Sequence, residues 1–557
     1  MTDADPTLVS LGERYLRLRL SASPFGATLL GIPGYADLVP DSSDEAARDL
    51  ARDLRQIAAQ AAALDGLDAD HEVTRAVLVS QCTDEADEAD LRTVTFQTAP
   101  FWASPHSQLL SMVPKVQLVD AEGAQAYLDR LERVPGFLDG AGEQLRRGTA
   151  AGRTAAARSL LGSIAALDAV LASPLSEDVL LAPSWSDAAW QLERERLVRD
   201  AVRPALARLR DLYRDVLLPA ARPDAQVGIG WLPGGAEAYA VLARASTTTQ
   251  LSPTALHELG LRELDRLEGE YAQLGKTLFG TSDVDDVLHR MRTDPALRLR
   301  DADDLLDRSR RAIEAAEAVL PTWFGRLPSS ACQLRLVPPG EAVNAAPAYY
   351  LAPDPASGRP GVYWVNAHEV AQRPVYDVEA IAFHEAVPGH HLQISISKEL
   401  DSLPLFRRVN ISGAFTEGWA LYAERLADEM GLYSSELDRL GMLSCDSWRA
   451  CRLVVDTGMH ALGWSFAEAV DFMARRTALP LSVIEPEVDR YVGLPGQALS
   501  YMVGRLEIVR MREQAQSALG ARMDVRSFHD VVLGGGALPL TVLDGQVQAW
   551  VADRSRI

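Results

Sequence analysis

Apolar residues recur at spacings of three and four through the first part of the chain, as in Leu128, Leu131, Val134 and Leu138, and again in Leu160, Ile164, Leu167 and Leu171. On a helix of about 3.6 residues per turn such positions share one face, so the pattern predicts amphipathic helices from about residue 7 to 220. The run Val227–Glu237 crowds four glycines and a proline and predicts a loop between helical blocks. Helical spacing returns over Leu256–Leu274 and Ala302–Leu320. The first follows Ser252-Pro253, which suits an N-cap and a first-turn proline. Only the middle reads as extended. Leu334–Val337 and Val362–Val365, the latter after Ser357-Gly-Arg-Pro-Gly361, predict short strands of one small sheet. From Asp377 helical patterns run to the C-terminus, broken at Gly493-Leu-Pro-Gly496 and Gly534-Gly-Gly536, and no repeat period or low-complexity tract is apparent. The expected class is mainly α with a small β-sheet.

One helix carries unusual chemistry. Asp377, as N-cap, opens an apolar stripe through Val378, Ile381, Ala382 and Phe383 that leads directly into His384-Glu-Ala-Val-Pro-Gly-His390-His391. A zinc-peptidase helix places two histidines four apart, so that both reach one metal while the glutamate beside the first activates water. Here the fourth position is Pro388, which lacks an amide hydrogen and disfavours helical geometry at Val387, and Gly389 follows with wide backbone freedom. A break is expected there. With Pro388-Gly389 looped out, His390 takes the place of the second ligand and is favoured, with His391 the rival. On an undistorted helix His391 would stand about 10 Å further along the axis. The third ligand is expected from Thr416-Glu-Gly-Trp-Ala-Leu-Tyr-Ala-Glu424, whose glutamates share a helix face. Glu417 is the expected ligand, and Glu424 the residue that orients a histidine or holds an arginine. Two histidines and one glutamate leave a position open for water, the mark of catalytic zinc, with Glu385 as its base. His257-Glu258 and His368-Glu369 lack a second histidine at useful spacing, and a di-iron site would need paired Glu-x-x-His units that do not accompany these residues.

Charge and cysteine use narrow the setting. The 557 residues hold 55 Lys and Arg against 77 Asp and Glu, a net charge of −22, which repels phosphate backbones and anionic lipid surfaces. Neither nucleic acid nor a membrane is an expected partner. Cys82, Cys332, Cys445 and Cys451 are too few and scattered for a disulfide framework, and Cys445 and Cys451 read as core thiols. The start Met1-Thr-Asp-Ala-Asp-Pro6 is acidic where a signal peptide would be basic, and no stretch approaches the apolar length needed to cross a bilayer. A cytoplasmic location is expected.

The motif His384-Glu-x-x-Pro-Gly-His390 with downstream Glu417-Gly-Trp-Ala resembles the bacterial domain of unknown function 885 family, and nearly the whole chain is similar to it. Supporting segments are Leu232-Pro-Gly-Gly-Ala-Glu-Ala-Tyr239, Leu256-His-Glu-Leu-Gly260, Arg359-Pro-Gly-Val-Tyr-Trp-Val-Asn366, Arg452-Leu-Val-Val-Asp-Thr-Gly458 with His460, and Pro495-Gly-Gln-Ala-Leu-Ser-Tyr501. The resemblance implies a gluzincin-like metallopeptidase with a large two-lobed, helical, zincin-like body. The chain would form one such unit over residues 1–557, with a helical region to 220 and a metal-site-bearing catalytic region from 221. It implies that Gly361–Asn366 is an edge strand pairing with an extended substrate, an ordinary core strand being the alternative. It also highlights Tyr501, His460 and Tyr363 as donors to an oxyanion, although lone tyrosines and histidines are more commonly buried residues satisfying their own hydrogen bonds. Arg452 and Arg505 are candidates to meet a substrate carboxylate, or else form structural pairs. The function expected is that of a zinc hydrolase, one ion per chain, cleaving short peptides. The alternatives are a hydrolase of non-peptide amides or esters, and a binding protein with the same fold and no catalysis.

Overall fold

A computed structural model describes residues 6–342, 345–354, 358–409 and 412–556. The acidic start Met1–Asp5, and Ser357 before the second expected strand, lie outside the described residues. Helices dominate, with one small sheet, and the protein is mainly α as the periodicity predicts. The chain divides into two compact units. The first comprises residues 1–245, 458–469 and 485–495, and the second residues 246–457, 470–484 and 496–557.

The first unit is a helical bundle around the long helix Ala121–Ala150, capped by the Asp120 side chain on the Gly123 amide. Its apolar stripe is buried as predicted, with Leu131 and Val134 at 0% exposure and Leu138 at 1%. It packs against Ala188–Leu197 and Arg203–Leu212, and Ala157–Ala172 packs on the latter, so that their leucines and valines complete one apolar core. Burial of such side chains stabilises a fold by about 1.5–3 kcal/mol each. The glycine-rich run departs from expectation. It contains a short 3-10 turn, Ile229–Trp231, and then enters the helix Gly235–Thr247, so Ala236 and Glu237 are helical rather than loop.

In the second unit the helix Pro253–Phe279 begins as predicted, with Ser252 accepting from the Ala255 amide and proline in the first turn. The helix Ala302–Trp323 follows, and then the sheet. Strand β1 (Cys332–Leu336) lies parallel to β3 (Gly361–Val365), and β2 (Ala348–Leu351) lies antiparallel to it, in the order β1-β3-β2. This corrects one expectation. Strand β3 is central, bonded on both sides and mostly buried, so its backbone has no free edge for a substrate. Periodicity had also not marked β2.

The helix expected from Asp377 spans Val378–Glu385, and after four residues a second helix spans His390–Lys398. The break falls at the predicted proline. Asp377 precedes the first helix but makes no side-chain cap, and one of its carboxylate oxygens has no hydrogen-bond partner. The glutamate-bearing helix Gly413–Glu429 packs on Ser500–Leu519 where Gly418 meets Gly504. A Cβ at Gly418 would stand 2.4 Å from the Gly504 Cα, so glycine permits the approach of two helix backbones.

Candidate metal centre

The interruption after Glu385 brings the second histidine into place. The His391 amide donates to the Ala386 carbonyl at 3.0 Å, closing the chain over Val387, Pro388 and Gly389. Trp419, from the glutamate helix, donates its indole N–H to the Pro388 carbonyl at 2.9 Å. A Cβ at Gly389 would stand 2.0 Å from the His384 carbonyl oxygen, so this tight return requires glycine. His390 then opens the next helix with its ring 4.7 Å from that of His384, edge to face.

Three side chains converge on one point. Glu417 Oε2 lies 3.6 Å from His384 Nε2 and 3.5 Å from His390 Nε2, and the potential ligand atoms of all three lie within 4.8 Å of one another. Two ligands each about 2.1 Å from a tetrahedral zinc stand about 3.4 Å apart, so the spacing suits an ion between them. His384, His390 and Glu417 are therefore a group that could hold a metal ion. Glu424 is fully buried and accepts from His384 Nδ1 at 2.8 Å. This bond directs the Nε2 lone pair toward Glu417, the orienting role anticipated for Glu424.

The electrostatics match. Burial opposes charge on His384, but Glu417 and Glu424 outweigh it and raise its pKa to about 9. Burial pushes the Glu417 carboxyl up, yet His390 and His384 together hold it well below the usual carboxylate range. His391 differs. Its Nε2 donates to the Ser330 carbonyl and its Nδ1 accepts from the Tyr350 hydroxyl, each at 2.9 Å, and burial holds its pKa down to about 4. Both nitrogens of His391 are thus engaged away from the other ligands.

The remaining candidates scatter. Glu385 is partly exposed beside His384, and its charge acts on buried Tyr363 of β3. His460 does not join the three. It is fully buried in the first unit, accepting from the Ile229 amide at Nδ1 (3.1 Å) and donating from Nε2 to the Tyr491 carbonyl (3.0 Å), so neither nitrogen is available to an oxyanion. Arg505 is consumed by ion pairs with Asp446 (2.6 Å) and Glu263 (3.0 Å), the structural alternative. Tyr501 is partly exposed, and the Arg452 guanidinium lies 4.2 Å from its ring centre. His257 is bonded to Thr457. Sequence reasoning missed Arg449, buried one turn before Arg452. Its i, i+3 spacing from Arg452 was the available signal.

The family described as "Bacterial protein of unknown function (DUF885)" matches residues 24–547. No curated protein matches. Among solved structures, a protein of Colwellia psychrerythraea described as a lipoprotein is 26% identical with a TM-score of 0.90, covering 98% of this chain and 99% of its own. A protein of Shewanella oneidensis described as a lipoprotein of unknown function shares the fold at 17% identity and a TM-score of 0.77, covering 97% and 99% respectively. No helix among the described residues is long and apolar enough to cross a membrane.

Proposed function

We propose, for a chain that belongs to the DUF885 family of bacterial proteins of unknown function, that it is a zinc-dependent hydrolase cleaving short peptides at His384, His390 and Glu417. The observation that carries this reading is the convergence of two imidazole nitrogens on one carboxylate oxygen at 3.5 and 3.6 Å, with a buried carboxylate behind one imidazole. A two-histidine, one-carboxylate set with an open position favours zinc. When bound, zinc supplies a Lewis acid that polarises a carbonyl and brings the pKa of a water to about 7.

The chain's own residues do the rest. Glu385 takes a proton from the attacking water as its oxygen joins the acyl carbon, and passes that proton to the leaving nitrogen as the C–N bond breaks. One product is a carboxylate and the other an amine. Glu424 keeps His384 in one tautomer throughout, through the 2.8 Å bond to Nδ1. Tyr501 is the donor we assign to the developing oxyanion, its ring held by Arg452. We place the protein in the cytoplasm on its scattered thiols, and the lipoprotein descriptions of two similar structures make fractionation of cells the deciding measurement.

Hydrolysis of a panel of short peptides by zinc-loaded protein tests the reading. Glu385→Gln should lose about a hundredfold to ten-thousandfold in kcat while keeping its metal. Undiminished turnover in Glu385→Gln, or none in the metal-loaded wild type on peptides, would overturn it.

A further inference from the structure

Leu264, Leu267 and Tyr271 stand three and four apart on the helix Pro253–Phe279, so they share one face, and each is at most 3% exposed. The next helix, Val284–Thr293, packs on the first and contributes the buried Leu288. With Ser447 of the helix Glu436–Ala461, and with Arg475 and Arg476 at the end of the helix Phe466–Arg476, these residues enclose a cavity of about 410 Å³. Clefts that take small molecules run from about 300 to 1,000 Å³. Every lining residue belongs to the second unit, and none comes from the helices that carry His384, His390 and Glu417.

Burial divides the walls into a floor and a rim. The floor is the three leucines, Tyr271 and Ser447. The Ser447 hydroxyl lies 3.0 Å from the Tyr271 hydroxyl and 2.8 Å from the Leu443 carbonyl, so both hydroxyls have partners. An apolar group can therefore rest on this floor without leaving a polar atom unpaired. The rim is charged and partly or fully exposed. Most of its charge is spent. Arg476 is ion-paired with Glu268, and the Asp283 carboxylate caps the helix Val284–Thr293 by accepting from the amides of Asp285 and Asp286. The side chains of Arg475 and Asp285 have no hydrogen bond or ion pair among the described residues. They carry opposite charges and line one cavity, yet do not pair with each other. A cation and an anion held apart over an apolar floor match a ligand that carries both charges and an apolar group.

We propose that this cavity binds a free α-amino acid with a large apolar side chain. Arg475 takes the carboxylate by two parallel hydrogen bonds, Asp285 takes the ammonium, and the leucines and the Tyr271 ring receive the side chain. The site goes beyond the hydrolase reading and does not rest on it. Calorimetric titration of the full-length protein, both zinc-loaded and chelated, tests it. L-Phenylalanine should bind saturably in both preparations with a Kd of about 1 mM or tighter. Glycine, 3-phenylpropionate and phenethylamine each lack one of the three features and should bind roughly tenfold or more weakly. Arg475→Gln and Asp285→Asn alter exposed side chains, so neither removes core packing, and each should weaken L-phenylalanine by about the same factor. Absence of saturable binding by L-phenylalanine would overturn the site. So would equal binding of 3-phenylpropionate or phenethylamine, or an affinity that neither substitution moves. Failure of peptide hydrolysis bears on the metal centre and leaves this site standing.

Discussion

Both units bury charge, and two clusters, one in each, show different settings for it. In the first, Arg130 ends on the carbonyls of Leu38, Pro24 and Tyr35 and the hydroxyl of Thr28, beside a large apolar core. Such a cation ties loops to a helix through backbone carbonyls. In the second, buried charges face one another: Asp446 lies between Arg425 and Arg505, and Glu424 sits behind His384. That series ends at three side chains whose ligand atoms stand too far apart for good hydrogen bonds and at the right distance for an ion. Closed charge holds a fold, and open charge marks a site.

Substitution in each region should separate these roles. Leu131→Ala in the first unit removes a fully buried side chain and should cost about 2–5 kcal/mol in denaturant unfolding, with the zinc content of the folded protein unchanged. Loss of zinc in that variant would break the comparison. Glu424→Gln in the second unit keeps volume but removes the charge behind His384. Metal affinity should fall about 10–100-fold in competition with a chromogenic chelator, and the unfolding midpoint of the metal-free protein should fall as well, because His384 loses its buried counter-charge.

Acidity gives a smaller effect, of one sign at buried histidines in both units, His391 and His529 of the second among them, and of the opposite sign at His384. Burial depresses the pKa of His106 to about 3 and of His460 to about 4, below the ordinary 6.5, so the unfolded chain takes up protons first. Their contribution is fully present above about pH 6.5 and is lost progressively as pH falls toward 4. His384 is raised to about 9, so in metal-free protein its contribution is full below about pH 6.5 and is lost as pH rises through 9. Thermal unfolding of chelated protein against pH should show both limbs. Zinc loading should flatten the alkaline one, because the ligand imidazole is then held deprotonated by the metal.

The sequence made local consequences legible and long-range ones not. The break at Pro388-Gly389 follows from one missing amide hydrogen and one absent Cβ, and the Ser252 cap from its own side chain, so both are read from adjacent residues. His390 could be ranked above His391 by spacing, but the bonds that occupy His391 come from Ser330 and Tyr350, residues that spacing does not connect to it. The same limit explains β3, whose central place depends on pairing with a strand on each side. It explains Arg505 too, whose partners Asp446 and Glu263 lie 59 and 242 positions away. Arg449 shows the limit as well, since its i, i+3 spacing from Arg452 is local but its burial is a matter of packing.

The central claim is that His384, His390 and Glu417 hold a metal ion. Elemental analysis of wild type and of His384→Ala, His390→Ala, His391→Ala and Glu417→Ala, purified identically without chelating tags and supplied with zinc, tests it most directly. The account predicts about one zinc per chain in wild type and His391→Ala, and loss in the other three. Zinc retained by His390→Ala and lost by His391→Ala, or no metal in the wild type, would contradict it.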